Sequence, residues 1–175
     1  MALATFAGGC FWCTETLFAR LKGVTGVVPG YTDGHIKNPA YREVCTGRTG
    51  HAECIQFDFD PNIISFESLL EVFFDTHDPT TLNRQGADVG TQYRSGIYYH
   101  SEEQKHAAEK MIQTLNESKV FDSSIVTEVR AFTVFYPAEE THQDYYNQNT
   151  NQPYCAAVIS PKVKKLIRKH ESRLN

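Results

Sequence analysis

The stretch Gly8-Gly9-Cys10-Phe11-Trp12-Cys13 constrains this chain more than any other. Residues 2–7, Ala-Leu-Ala-Thr-Phe-Ala, are short and apolar and stop at two glycines, as a buried strand does before a tight turn. Beyond them Thr14, Leu17, Phe18 and Leu21 recur at helical spacing. Cys10 is therefore expected where a strand hands over to a helix. Backbone N–H groups and the positive end of the helix dipole favour a thiolate there. An isolated cysteine is by default small, buried and inert. The glycine pair, the helix and the C-x-x-C spacing with Cys13 turn that default into a nucleophilic or redox thiol.

Further along, Val24–Val28 reads as a strand that ends at Pro29-Gly30, with a turn or loop through Gly34. Residues 35–50 are polar and aperiodic, and a loop that long in a compact domain is usually functional. Ala52–Phe59 alternates, with Cys54, Gln56 and Asp58 on one face and Ile55, Phe57 and Phe59 on the other. Ser65 caps a helix carrying Phe66, Leu69, Leu70, Phe73 and Phe74, and Thr80–Gly90 is loop again. Gly96–Tyr99 reads as a strand, and Ser101-Glu102-Glu103-Gln104 opens a helix to about Asn116. Ile125–Phe135 contains another alternating strand, and Glu139–Asn147 a weakly patterned short helix. Ala156–Ile159 is strand-like, and Ser160-Pro161 starts a basic terminal helix. Interleaved strands and helices, with no repeat or linker, predict an α+β fold. We expect a single-domain two-layer sandwich with a ferredoxin-like core over residues 1–175, and long loops over the site at the end of the first strand.

The charge balance, 17 Lys+Arg against 21 Asp+Glu, suggests no basic surface for nucleic acid. No apolar run approaches the ~18–20 residues that span a membrane. The N-terminal Met-Ala-Leu-Ala-Thr-Phe lacks the basic and long apolar regions of a secretory signal. Five cysteines, an odd number, argue against a secreted disulfide framework, so a reducing, cytoplasmic compartment is expected. A monomer is expected as well.

Gly9-Cys10-Phe11-Trp12 resembles the signature of the A-type peptide methionine sulfoxide reductases. The resemblance runs in register through Gly30-Tyr31, Tyr41-Arg42-Glu43-Val44, Gly47–Glu53, Asp78-Pro79-Thr80, Asn83–Gly86, Asp88 and Gly90–Ser95. It fades after His142–Tyr145 and Pro153-Tyr154-Cys155. It implies thiol-dependent reduction of methionine S-sulfoxide, free or peptide-bound, with no bound cofactor or metal and with thioredoxin or another dithiol as external reductant. Carried over residue by residue, it makes Cys10 the nucleophile, Glu53 the acid, and Tyr41 and Tyr93 the phenols that hold the oxygen. Phe11 and Trp12 become walls of the methyl pocket, and Asp88 a substrate-binding acid. The chemistry fits: sulfoxide sulfur yields to a soft nucleophile once its oxygen is protonated. By default, Glu53 would be a surface residue, the tyrosines structural and Asp88 a turn residue.

Cys155 matches the resolving cysteine of many relatives, but Cys13, where relatives often carry glycine, offers a second thiol. We expect Cys13 to resolve first. His51 and His142 read as structural hydrogen-bonders, and Cys45 and Cys54 as buried small residues. Asp33-Gly34 replaces two glycines, a mild change because Asp tolerates left-handed backbone. The rival readings are a thioredoxin-like oxidoreductase built on C-x-x-C and a structural zinc protein, for which the second ligand pair has the wrong spacing.

Overall fold

The computed structural model describes residues 1–175. The elements in order are β1 (Ala2–Gly8), α1 (Phe11–Ala19), β2 (Val24–Thr32), α2 (Tyr41–Cys45), β3 (Ala52–Phe59) and α3 (Phe66–Asp75). There follow β4 (Arg84–Gln85), β5 (Asp88–Val89), β6 (Ser95–Tyr99), α4 (Glu102–Glu117), β7 (Glu128–Ala131), β8 (Phe135–Pro137), α5 (Tyr145–Gln148) and α6 (Ser160–His170). This is a mixed α+β fold. Six strands form one sheet in the order β7-β6-β1-β3-β2-β8, and β4-β5 is a separate small hairpin.

The apolar run of β1 becomes the sheet's centre because both its edges are taken, by β3 and by β6, each antiparallel. One face carries the main core. Phe6 of β1 meets Phe18 of α1, Phe57 of β3, and Phe66 and Phe73 of α3, at ring separations of 5.0–5.7 Å. A buried phenylalanine of this kind contributes about 1.5–3 kcal/mol. The alternation in β3 works as its pattern dictates: Ile55, Phe57 and Phe59 enter this core, while Cys54 joins Ala7, Ala52 and Tyr98 on the opposite face.

Helix starts follow their caps. Ser65 Oγ accepts the Ser68 N–H at 3.0 Å, and Ser101 Oγ accepts the Gln104 N–H at 3.2 Å.

Four expectations are corrected. Pro29 to Thr32 is not a turn but the second half of β2, extended by pairing with β8. Gly30 is needed in that strand because a Cβ there would sit 2.5 Å from the Phe135 ring. The polar segment 35–50 holds a helical turn, α2, in which Glu43 Oε1 accepts the Ala40 N–H at 2.9 Å. The strand expected over 125–135 is split into β7 and β8, which lie at opposite edges of the sheet.

The fourth is Cys155–Ile159, which is wound as a π-helical turn running directly into α6. Pro161 lacks the N–H that an uninterrupted α-helix would use, and a widened turn just before it accommodates that loss. Ser160 accordingly caps nothing and instead shares a hydrogen bond of 2.7 Å with the Tyr146 hydroxyl. No helix is long and apolar enough to cross a membrane.

Candidate active site

Sheet register assembles the site at one end of the central strands. Phe6 lies opposite Ile55, so the same antiparallel register brings Gly8, at the end of β1, beside Glu53, at the start of β3. On the other side of β3, Glu53 pairs with Tyr31. Gly8 is also paired with Ser95, the first residue of β6, which puts the preceding turn, Thr91–Tyr93, at the same end.

Gly9 then turns the chain at φ 92°, and a Cβ there would meet Gln85 Cγ at 2.7 Å. The close approach lets the β4–β5 hairpin, which carries Asp88, lie against the loop.

Cys10 is the N-cap residue of α1, and its carbonyl accepts the Cys13 N–H at 3.0 Å. The side chain makes no capping bond and faces the site, where the Trp12 backbone N–H is directed at its sulfur and the Tyr154 hydroxyl oxygen lies beside it. The expected thiolate is not what this setting favours. Burial pushes the Cys10 thiol well up, Glu53 and Cys13 push the same way, and Trp12 and Tyr154 only partly oppose them. The residue is 8% exposed. Helix position is outweighed by desolvation.

Glu53 is 1% exposed. Its Oε1 accepts the Phe11 N–H at 3.2 Å, while Oε2 is buried with no partner. Burial raises its pKa to about 8, the Phe11 N–H opposes this and Asp88 adds to it, so the carboxyl is mostly protonated at neutral pH. A buried carboxylic acid with one unoccupied oxygen can donate a proton to whatever enters.

Around this pair stand the phenols. Tyr41 opens α2, anchored by its own N–H to Glu139 Oε2 at 3.2 Å; Glu139 Oε1 accepts the Tyr31 hydroxyl at 3.1 Å. Burial, foremost, raises the pKa of both Tyr41 and Tyr93, with Glu53 adding to each, which keeps both as hydrogen-bond donors. Phe11 is fully buried beneath Tyr41, Tyr31 and His142, at ring separations of 5.6–6.2 Å. Trp12 remains partly exposed; Tyr145 stacks on it at 3.8 Å, and its Nε1–H donates to His142 Nδ1 at 3.1 Å. His142 must be neutral to accept that bond, and burial lowers its pKa accordingly.

Asp88 accepts the Tyr154 hydroxyl, which links it through Tyr154 to Cys10. All nine sequence-derived candidates thus lie in or next to one site. Cys13 is buried in the first turn of α1, close enough to Cys10 and Cys155 for each to influence a neighbour's titration. Cys155 is buried as well, whereas Cys45 is exposed at the end of α2, correcting its buried reading. No group of three or more His, Cys, Asp and Glu side chains could hold a metal ion. A cleft of about 480 Å³ between Asp78, Gln85, Phe121 and Lys162 lies outside the thiol site.

The profile of the family described as peptide methionine sulfoxide reductase matches residues 2–175. The chain belongs to this family. The peptide methionine sulfoxide reductase MsrA of Saccharolobus solfataricus is 56% identical over 168 residues, covering 96% of this chain and 94% of that one. Among solved structures, reduced Mxr1 of Saccharomyces cerevisiae superposes with a TM-score of 0.81 at 34% identity, covering 90% of each chain. Mxr1 in complex with Trx2 matches at a TM-score of 0.56 and 25% identity, covering 82% of this chain and 84% of that one. Membership in a sulfoxide reductase family sets aside the thioredoxin-like and zinc readings.

Sequence reasoning passed over three residues of this reductase's site. Tyr154 sat within the matching Pro153-Tyr154-Cys155 segment, which was its only signal. Tyr145 likewise lies within the matching His142–Tyr145 segment, whereas nothing marks Glu15, because its partner lies 129 positions along the chain.

Proposed function

We propose that Cys10 is the nucleophile and Glu53 the proton donor of a thiol-dependent methionine sulfoxide reductase. The chain is an oxidoreductase, a peptide-methionine (S)-S-oxide reductase, that reduces methionine sulfoxide with thiols. The observation that carries the residue roles is the buried, mostly protonated Glu53 with its unpartnered Oε2 beside the Cys10 thiol.

In this reading the sulfoxide oxygen is received by Glu53 Oε2 and the Tyr41 and Tyr93 hydroxyls. The methyl group lies against Trp12, with Phe11 backing the wall. As Cys10 sulfur attacks the sulfoxide sulfur, the S–O bond is weakened by proton transfer from Glu53 to oxygen. The thiol proton has an exit through Tyr154 to Asp88, whose hydrogen bond already points that way. The hydroxyl so formed then passes to the Cys10 sulfur as the transient S–S bond between Cys10 and the substrate breaks, so methionine leaves reduced and Cys10 is oxidised to a sulfenic acid.

A second thiol, Cys13 or Cys155, condenses with it, releasing water and forming a disulfide. Thioredoxin, with which the relative Mxr1 forms a complex, is the external dithiol that restores both thiols. No bound cofactor takes part in this scheme. In this reading both free and peptide-bound methionine sulfoxide are substrates.

The same reading makes residues 1–175 one catalytic domain, monomeric and cytoplasmic. It takes the core as a two-layer, ferredoxin-like sandwich, supported by the order β6-β1-β3-β2 with α1 and α3 on one face. The test is to offer the S and R sulfoxides of one methionine peptide separately with a dithiol. Reduction of S alone, abolished in Cys10→Ser, is expected. Equal use of both, or activity in Cys10→Ser, contradicts the reading.

A further inference from the structure

We propose that Glu15 is a positioning residue of this site: its buried carboxylate holds the Asp144–Tyr145 turn so that Tyr145 and His142 fix the plane of Trp12. The inference rests on the reading of Trp12 as a wall of the substrate pocket.

Glu15 follows Trp12 by three residues on α1, so the two side chains share a helix face. It is 7% exposed, and no lysine, arginine or histidine pairs with it. A carboxylate without a cation is costly to bury unless hydrogen bonds satisfy it. Here backbone amides do so in part: burial still raises the Glu15 pKa to about 7, the amide bonds opposing the rise, so the carboxylate prevails above that pH. The Asp144 N–H lies 2.9 Å from Oε1 and 3.0 Å from Oε2, and the Tyr145 N–H is directed at the same group.

The turn held in this way has an uncommon shape. Asp144 has φ 52°, in the left-handed region that Asp enters more readily than most residues but less readily than glycine. Asn147 Nδ2 supports it from the C-terminal side, donating to Asp144 Oδ1 at 2.7 Å.

What the turn carries is the setting of Trp12. The Tyr145 ring lies 3.8 Å from the Trp12 ring and 13° from parallel, and His142 Nδ1 accepts the Trp12 Nε1–H. The His142 ring is in turn 4.3 Å from that of Tyr41. One carboxylate on α1 thereby ties a segment 129 residues later to the indole beside the nucleophile. A side chain serving only to pack α1 would not need both oxygens on one amide of a left-handed turn.

Trp12 is the only tryptophan, so intrinsic fluorescence reads this ring without substrate. At pH 8, where Glu15 is mostly ionised, Glu15→Gln keeps the shape and one acceptor oxygen but loses the charge. Its emission should move to the red and become more accessible to acrylamide. KM for a sulfoxide peptide should rise about tenfold, the scale of one charge-assisted hydrogen bond, while kcat stays within about threefold. The rate of Cys10 alkylation should not change. Tyr145→Leu should act through the same ring, so the double variant should raise KM no more than the larger single effect.

If Glu15→Gln does not fold, Glu15→Asp carries the same test, because it keeps the charge but withdraws the oxygens by about 1.5 Å. A variant with lowered Tm but wild-type emission, quenching and KM overturns the proposal, as does additivity with Tyr145→Leu. A native chain that turns over no sulfoxide overturns the underlying functional reading instead, whatever its fluorescence.

Discussion

Glu53 Oε1 accepts the Phe11 backbone N–H at 3.2 Å, and this single bond leaves the second carboxyl oxygen buried and unpartnered. One oxygen fixes the acid's direction and the other is free for chemistry. Burial outweighs the bond and holds the pKa at about 8, so the donor form prevails below that pH.

Replacing the acid therefore separates activity from stability. Glu53→Gln can still hydrogen-bond but delivers no proton, so kcat/KM should fall roughly 10²–10⁴-fold. Stability should move the other way. Between the ordinary carboxyl value of 4.5 and about 8, the folded chain holds a proton that the unfolded chain has released, so stability drops as pH rises through that window. Glu53→Gln removes this slope, and its Tm at pH 8 should exceed that of the native chain. A loss in kcat/KM under about threefold would reduce Glu53 to a positioning role.

His77 gives the opposite pH dependence. Its ring is buried between the Phe73 carbonyl, 2.6 Å from Nδ1, and Ser95 Oγ, 2.8 Å from Nε2, and desolvation lowers its pKa to about 4. Between about 4 and the ordinary 6.5 the unfolded chain gains a proton that the folded chain refuses, so stability is lost as pH falls through that range. Ser95→Ala leaves Nε2 without its partner and should cost about 1–3 kcal/mol by chemical denaturation. A cost near zero would mean that water takes the serine's place.

How much of this was legible in the sequence depends on how local the signal is. The glycines, Cys10 and the first helix follow from composition within a dozen residues, and the alternation of β3 predicted its two faces. Pro29-Gly30 was misread because punctuating residues normally mark turns, whereas here an edge strand 105 or more positions away in the chain pairs with them. Ala156–Ile159 was misread because short apolar runs do not distinguish strand from helix. The low thiol pKa expected of Cys10 failed for a tertiary reason: burial and Glu53 come from elements the helix does not contain.

The pocket wall can be separated from the thiol. Trp12→Ala should raise KM for sulfoxide peptides by about tenfold, the scale of losing a large buried aromatic contact. The rate of Cys10 reaction with a small alkylating agent should hold steady. Equal losses in both would relocate the effect to Cys10 itself.

The resolving thiol can be identified by peptide mapping. Cys13 is held in the first turn of α1 by its N–H bond to the Cys10 carbonyl, and a disulfide there needs that turn to loosen. Cys155 is held in the π-helical turn before α6, a constraint of similar kind. Sequence proximity favours Cys13 as the first partner. After one turnover without reductant, Cys13→Ser should form its disulfide to Cys155 slowly. A full-rate Cys10–Cys155 disulfide in that variant would assign the role to Cys155.

The central claim, that Cys10 takes the sulfoxide's oxidising equivalents with Glu53 beside it, is tested most directly by a single turnover in the absence of reductant. Methionine formed is counted against thiols lost, with intact-mass analysis of the same sample. The account predicts one equivalent of methionine per chain and loss of two thiols as one disulfide. In a chain lacking both Cys13 and Cys155, it predicts one equivalent of methionine and a sulfenic acid on Cys10. Methionine formation undiminished in Cys10→Ser, or an oxidised product that does not map to Cys10, would contradict it.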